Sequence, residues 1–281
     1  MTAETLHSDQ VRGGERYEFG ENWARFLAGV DESSIQEAVS SFTSMIGQSN
    51  LSGLRFLDIG SGSGLSSLAA RRLGASVVSF DFDPRSVACT KELRRRFSSE
   101  DEDWDVQEGS ILDDDFVARL GTFDLVYSWG VLHHTGQMWR AIDAATRAVA
   151  PNGKFFIALY NDQGWPTKVW SAVKQSYNRL NQVHPALGWA VLLPSFVRLW
   201  GPTTVKDIVK GRPGYTWRNY GRARGMDPWV DVCDWVGGYP FEVASANEVE
   251  AFCSARGFIL KKTKLSTGHG CSEYIFQRKI S

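Results

Sequence analysis

The sequence predicts an α/β protein: a seven-stranded, mostly parallel, doubly wound sheet with an antiparallel last strand, an N-terminal helical lid, and a helical, aromatic insert after the fifth strand. Three observations carry this. From residue 54 onward, five short apolar runs alternate with amphipathic ones, the pattern of parallel strands joined by right-handed helical crossovers and covered on both faces. The last two apolar runs have no helix between them and therefore pair antiparallel. Residues 163–244 are far longer than a normal connection and hold seven of the eleven tryptophans, at 165, 170, 189, 200, 217, 229 and 235.

The elements follow in order. Residues 1–53 read as a polar leader and helices, containing RYEFGENWARF. LRFLDIG is the first strand, followed by a small-residue helix, LSSLAARRLG. ASVVSFDFDP is the second, with Asp83 capping a helix that has Pro84 in its first turn. DVQEGS leads into LDDDFVARLG, and FDLVYSW into a helix with Met138, Ile142, Ala145 and Val149 on one face. KFFIALY follows a PNG turn. Ser245 and Glu248 form a capping box for a helix running to Arg256, and FILKKTKLS and EYIFQRK are the final strands. The implied units are a lid (1–53), a core (54–162), an insert (163–244) and a closing helix and strand pair (245–281).

Composition narrows the function. With 43% hydrophobic and 12% aromatic residues the chain buries a real core, and a formal net charge of −1 gives no global attraction to nucleic acid or membrane. Cys89, Cys233, Cys253 and Cys271 are scattered, which suits a reduced, cytoplasmic setting better than a disulfide or metal framework. MTAETLHSDQ lacks the basic-then-apolar order of a signal peptide. The most apolar stretch, ALGWAVLLPSFVRLW (186–200), is too short to span a bilayer and is expected to break at Pro194, so no stable membrane insertion is predicted.

The chemistry-bearing stretch is FLDIGSGSGLSS, residues 56–67, with three glycines in five positions directly after a buried strand. A phosphate-binding P-loop needs Lys-Ser/Thr after the glycines, where Leu65-Ser66 stands. The dinucleotide fingerprint needs a glycine at position 65, which is leucine. Asp58-Ile59-Gly60-Ser61-Gly62-Ser63-Gly64 instead matches [D/E]xGxGxG. Asp81 ends the second strand, EGSIL the third, and SWGVLHHT the fourth. Together these stretches resemble the class I S-adenosylmethionine-dependent methyltransferases, closest to the small-molecule type of quinone biosynthesis. The resemblance covers residues 54–162 well and the final strands loosely. It implies S-adenosylmethionine as cofactor, Asp58 beneath the methionine amino group, and Gly60, Ser61, Gly62 and Gly64 making room for the nucleoside. It further implies Asp81 on the ribose with Phe82 beside it, Ser110 and Ile111 framing the adenine, and Ser128 and Trp129 binding the cofactor at the end of the fourth strand. Ser110 departs from the acidic residue many relatives place there.

Methyl transfer from a sulfonium asks the protein to align acceptor and methyl, with a general base where the acceptor must lose a proton. His133 and His134, in the loop after the fourth strand, are the candidate bases. That loop lacks the [N/D]PP[Y/F] of amino-methylating DNA enzymes, and no Pro-Cys pair supports cytosine chemistry, so no DNA partner is expected. No acidic ligand ends the fourth strand, so no metal is expected either. The reading is O-methylation of a small or medium-sized acceptor bearing an anionic group. Tyr17, Phe19, Asn22 and Trp23 form a lid; Tyr160, Asn161, Tyr239 and Arg218 line the acceptor side. Residues 208–226 carry Lys210, Arg212, Arg218, Arg222 and Arg224 and no acid, which suits an anion or a solvated basic face. Two alternatives stand: an RNA-modifying enzyme that uses this basic, aromatic insert, and a non-catalytic adenosylmethionine-binding module.

Overall fold

A computed structural model describes residues 3–98, 103–224, 228–266, 268 and 270–279; the side chains of residues 3 and 221–224 lie outside that description. In chain order, α1 (Ala3–Arg12), α2 (Gly20–Ala28) and α3 (Glu32–Ile46) precede the first strand. The alternating core follows: β1 (Arg55–Ile59), α4 (Leu65–Arg72), β2 (Ser76–Asp81), α5 (Pro84–Phe97), β3 (Trp104–Glu108), α6 (Asp114–Leu120), β4 (Phe123–Trp129), α7 (Met138–Arg147) and β5 (Val149–Tyr160). The insert supplies α8 (Trp165–Val183), α9 (Pro185–Val209), α10 (Tyr215–Arg224) and α11 (Pro228–Gly237). Then α12 (Ala246–Ser254), β6 (Phe258–Lys264) and β7 (Cys271–Arg278) close the chain.

The seven strands form one sheet in the order β3-β2-β1-β4-β5-β7-β6, and β7 alone runs against its neighbours. Pleating sends alternate residues to opposite faces. Phe155 and Ile157 join one buried cluster with Leu57, Ile59, Ile142 and Phe276, while Phe156 joins the other with Phe56, Leu68, Leu93 and Trp104. Each face is thus sealed by helices, and the strand ends, not the faces, are left for function. Helix α3 belongs to the second face, where Phe42 meets Phe56 edge-on at 5.7 Å.

Local signals mostly hold. The Asp83 carboxylate accepts from Arg85 N–H at the start of α5, and the Ser245–Glu248 capping box is formed. Two expectations fail. Val149 is not on α7; the helix ends at Arg147, and Val149 already pairs with Phe123 as strand, carrying β5 through the PNG segment with a register shift. Helix α9 does not break at Pro194 but runs on through Pro194 and Pro202. Each proline removes one N–H, and the carbonyls that lose their donors, on Ala190 and Arg198, belong to exposed residues that water can reach. No described helix is long and apolar enough to cross a membrane.

The insert has a core of its own: Tyr177, Leu192, Trp200, Val232 and Val236, with Trp200 packed on Trp217 and Tyr220. Most of its tryptophans therefore pack within it, although Trp165 stays 76% exposed.

Candidate active site

The carboxyl ends of β1, β2 and β4 bring the sequence-predicted residues to one edge. After β1 the chain turns through Gly60 and Gly62 at φ +76° and +55°, conformations that cost a side-chain-bearing residue strain. A Cβ on Gly60 would lie 2.4 Å from Val131, and one on Gly62 would lie 3.0 Å from the Trp23 indole. The loop is thus closely covered by the β4 loop on one side and by α2 on the other.

Two carboxylates flank it. Asp58, 2% exposed, accepts from Ser67 Oγ at 2.5 Å; burial, offset in part by this hydrogen bond, pushes its pKa up to about 7. Asp81 at the end of β2 accepts from Gly62 N–H at 2.9 Å and from Asp83 N–H at 2.9 Å. Burial nevertheless raises it to about 6. Both sit in a low-dielectric setting that disfavours their charge.

The N-terminal segment closes over this edge. Gly20 N–H donates to Asp83 Oδ2 at 2.7 Å, and Tyr17 N–H donates to the Tyr239 carbonyl at 2.9 Å. The Asn22 amide donates to Tyr17 Oη at 3.1 Å and to Asp234 Oδ1. The sequence reading passed over Arg16, yet its guanidinium spans the cleft. It donates to the His134 carbonyl at 3.0 Å and lies 5.0 Å from the Phe82 ring centroid, close to Asp81 and Asp83. Burial lowers its pKa to about 10, so it stays charged at neutral pH. His7 was also passed over; it is 4% exposed, 3.9 Å from Asp83, and set edge-on to Phe82.

The two histidines after β4 have different surroundings. His134 Nδ1 pairs with the Pro240 carbonyl at 2.6 Å, and burial lowers its pKa to about 3. His133 is 0% exposed, and neither ring nitrogen has a hydrogen-bond partner among the described residues. Its ring centroid is 4.0 Å from that of Tyr160, and burial, then His134 and Lys174, hold its pKa well below the usual value. Beyond Tyr160 the insert enters with Trp235, Phe241 and the buried Lys174. The Tyr239 hydroxyl accepts from Gln175 at 3.1 Å.

Other predicted residues stand differently. Ser110 Oγ accepts from Leu112 N–H at 3.2 Å in the turn after β3, and Ile111 is buried in the core. The Ser128 hydroxyl is committed to the Ile59 carbonyl at 3.1 Å. The Trp129 side chain is 48% exposed and donates to Glu273 at 3.4 Å. Asn161 bridges to Ala244. Arg218 is exposed on α10 and donates to the Pro213 carbonyl at 2.9 Å, with no described contact to this edge. The side chains of Arg222 and Arg224 are outside the described residues.

The family pattern of a methyltransferase domain matches residues 32–210, more than half of the chain and all of the strand-end loops just described. The chain belongs to the methyltransferase domain family. Its sheet, parallel except at β7, is the Rossmann-like fold of such domains. Among curated relatives, the ubiquinone biosynthesis O-methyltransferase of Xanthomonas oryzae pv. oryzae (strain PXO99A) is 35% identical over 112 residues, covering 40% of this chain and 45% of that protein. The counterpart of Xanthomonas euvesicatoria pv. vesicatoria (strain 85-10) is 33% identical over 111 residues, with the same coverage. The match thus spans less than half the length of these relatives. Among solved structures, magnesium protoporphyrin IX methyltransferase from Synechocystis PCC 6803 with bound SAH is similar at TM-score 0.56 and 14% identity, covering 98% of this chain and 99% of that one. An O-methyltransferase family protein from Burkholderia thailandensis has TM-score 0.53 at 12% identity, covering 87% and 56%. At these identities the methyltransferase structures share the fold with this chain.

Proposed function

We propose that this methyltransferase transfers the methyl group to an oxygen of a small or medium-sized acceptor, held in the enclosed space between the glycine loop, the N-terminal helices and the insert. The observation that carries this is enclosure. His133 and His134, at the reacting edge, are covered by Phe19, Tyr160 and the insert, which suits a small molecule better than a polymer. The partial match to O-methyltransferases supports oxygen as the acceptor atom.

The residues present fit the cofactor by their donor and acceptor character. Asp58 and Asp81 are acceptor-only groups held against their charge by burial, and S-adenosylmethionine brings an ammonium and two ribose hydroxyls that supply donors. In this proposal Asp58 takes the ammonium, Asp81 the ribose beside Phe82, and Gly60, Ser61, Gly62 and Gly64 give the nucleoside its room. Ser110 and Ile111 frame the adenine. When bound, the cofactor supplies a methyl group on a sulfonium, an electrophile with a good leaving group. Trp23 and Arg16 close the space and exclude water. His133 accepts the proton of the acceptor hydroxyl on a ring nitrogen while the oxygen keeps the electron pair. His134 positions the loop through Pro240. Ser128, Trp129 and Arg218 are left out, because their side chains are committed or turned elsewhere. The lid, core, insert and closing units follow the boundaries 1–53, 54–162, 163–244 and 245–281.

The test is conversion of S-adenosylmethionine to S-adenosylhomocysteine with a panel of hydroxyl, carboxyl and amine acceptors; turnover confined to amines would overturn the oxygen assignment. A pH dependence follows as well. The cofactor needs both carboxylates ionised, and in the free protein they titrate at about 7 and about 6. Cofactor affinity is therefore expected to fall as pH drops from about 8 to about 5, by up to about tenfold per pH unit for each proton taken up. The sign for stability agrees. A carboxyl raised above its unfolded value contributes stability at low pH that is lost as pH rises through the folded value. The thermal shift given by cofactor should therefore grow toward high pH. An affinity flat across this range would mean that neither carboxylate holds the cofactor.

A further inference from the structure

Lys174, on α8, is a buried charge that core packing does not explain. It is 0% exposed, and its Nζ donates to the Trp235 carbonyl. It lies 4.1 Å from the Trp235 ring centroid, 4.7 Å from Phe241 and 5.9 Å from Tyr160. An ammonium has three donors, and the described hydrogen bond uses one. Asp234 is near enough to favour its charge, but no ion pair joins the two among the described residues, and the Asp234 carboxylate bonds Asn22 instead. Burying an ammonium without a contacting carboxylate costs several kcal/mol, whereas a methionine of similar length would fill the space without that penalty. Burial has already drawn its pKa down to about 7.

Its surroundings say what offsets the cost. The Tyr160 ring that faces Lys174 also packs on His133, whose two buried ring nitrogens have no partner among the described residues. A small pocket of about 10 Å³, lined by Tyr160, Asn161, Trp170, Trp235 and Phe241 but by neither Lys174 nor His133, opens beside the same rings. The cation, the imidazole and the opening thus share the Tyr160 ring. The aromatic faces attract the ammonium without supplying a counter-charge, which leaves it able to pair with an incoming anion.

We propose that Lys174 is the acceptor-binding cation of this enzyme: its ammonium holds the oxyanion of the methyl acceptor, a phenol-type hydroxyl or a carboxylic acid, against the Tyr160, Trp235 and Phe241 rings. This rests on the reading above, in which the acceptor sits at His133. The charge logic also separates oxygen from nitrogen. Methylating an oxyanion removes a negative charge beside Lys174, whereas methylating a neutral amine builds a positive one there. Lys174 therefore holds the oxyanion before transfer and releases its neutral product, and it opposes the cation that amine methylation would build.

The experiment uses the full chain saturated with S-adenosylhomocysteine and two probes, 4-nitrophenol for the phenol class and benzoate for the carboxylate class. Below the phenol's own pKa, wild-type protein is expected to raise the coloured phenolate fraction as it binds, or to bind benzoate if carboxylates are the natural class. Lys174→Met should weaken the bound probe by roughly ten- to a hundredfold, with S-adenosylhomocysteine affinity unchanged and Tm equal or higher. A purely structural lysine would do the opposite, lowering Tm in the variant while leaving probe affinity alone; that result overturns the proposal. So does a wild type that binds neither probe more tightly than the variant. If the variant does not fold, the wild-type ionisation shift decides for phenols, and competition of benzoate by chloride decides for carboxylates. A wild type that fails to bind S-adenosylhomocysteine overturns the cofactor reading instead, and the same titrations without it still decide Lys174.

Discussion

His133→Ala is expected to cut turnover by ~10²–10⁴-fold while leaving cofactor affinity unchanged. The reason is hydrogen-bond accounting. Buried imidazole nitrogens are nearly always partnered, and both nitrogens of His133 lack a partner among the described residues although the ring is 0% exposed. Burial, His134 and Lys174 keep the ring neutral at working pH, so one nitrogen is ready to accept a proton. An acceptor hydroxyl supplies the missing donor. His134 has the weaker claim: its Nδ1 is already engaged by the Pro240 carbonyl, whereas both nitrogens of His133 are open to an acceptor. His134→Ala should mainly loosen the tie between the β4 loop and the Tyr239-Pro240 segment, at a cost of about 1 kcal/mol in stability. Single-turnover rates for the two variants separate the roles. If His134→Ala proves the slower enzyme while His133→Ala keeps full turnover, His134 takes the proton.

Gly62→Val is expected to weaken binding of S-adenosylhomocysteine by about a hundredfold or more. Two costs add. Gly62 sits at φ +55°, where a β-branched residue is strained, and the side chain would enter space bordered by the Trp23 indole, 3.0 Å from its first carbon. The valine must therefore displace the lid or fill the nucleoside's room. The change also disturbs the Gly62 N–H bond to Asp81, so the loop and this carboxylate are displaced together. Calorimetry measures the affinity, and circular dichroism checks that the sheet persists. Undiminished affinity in a folded variant would detach the glycine loop from the cofactor.

Much of this architecture was readable from the chain itself, for a physical reason. Strand and helix periodicity, the Asp83 cap, the Ser245–Glu248 capping box and the Asp58–Gly64 turn are local, each decided by residues a few positions apart. The alternation from residue 54 to 160 therefore specified the sheet, and the glycines specified the tight turn after its first strand. What the sequence could not show was which distant side chains share a burial site. Arg16 reaches His134 across 118 positions and Lys174 reaches Trp235 across 61, so neither pairing leaves a periodic trace. Exposure was equally hidden. Trp129 and Arg218 read as site residues by position and composition, yet packing turns one to the surface and leaves the other on an outer helix. Pro194 read as a break, but its effect depends on whether water can reach the carbonyl it deprives. The aromatic run of the N-terminal segment announced a lid; only tertiary folding decided that Trp23 would cover Gly62, and that a buried lysine from the insert would stand beside an unpartnered histidine. Local hydrogen bonds and periodicity set the scaffold, and desolvation, which depends on the whole fold, set the chemistry of the groups it encloses.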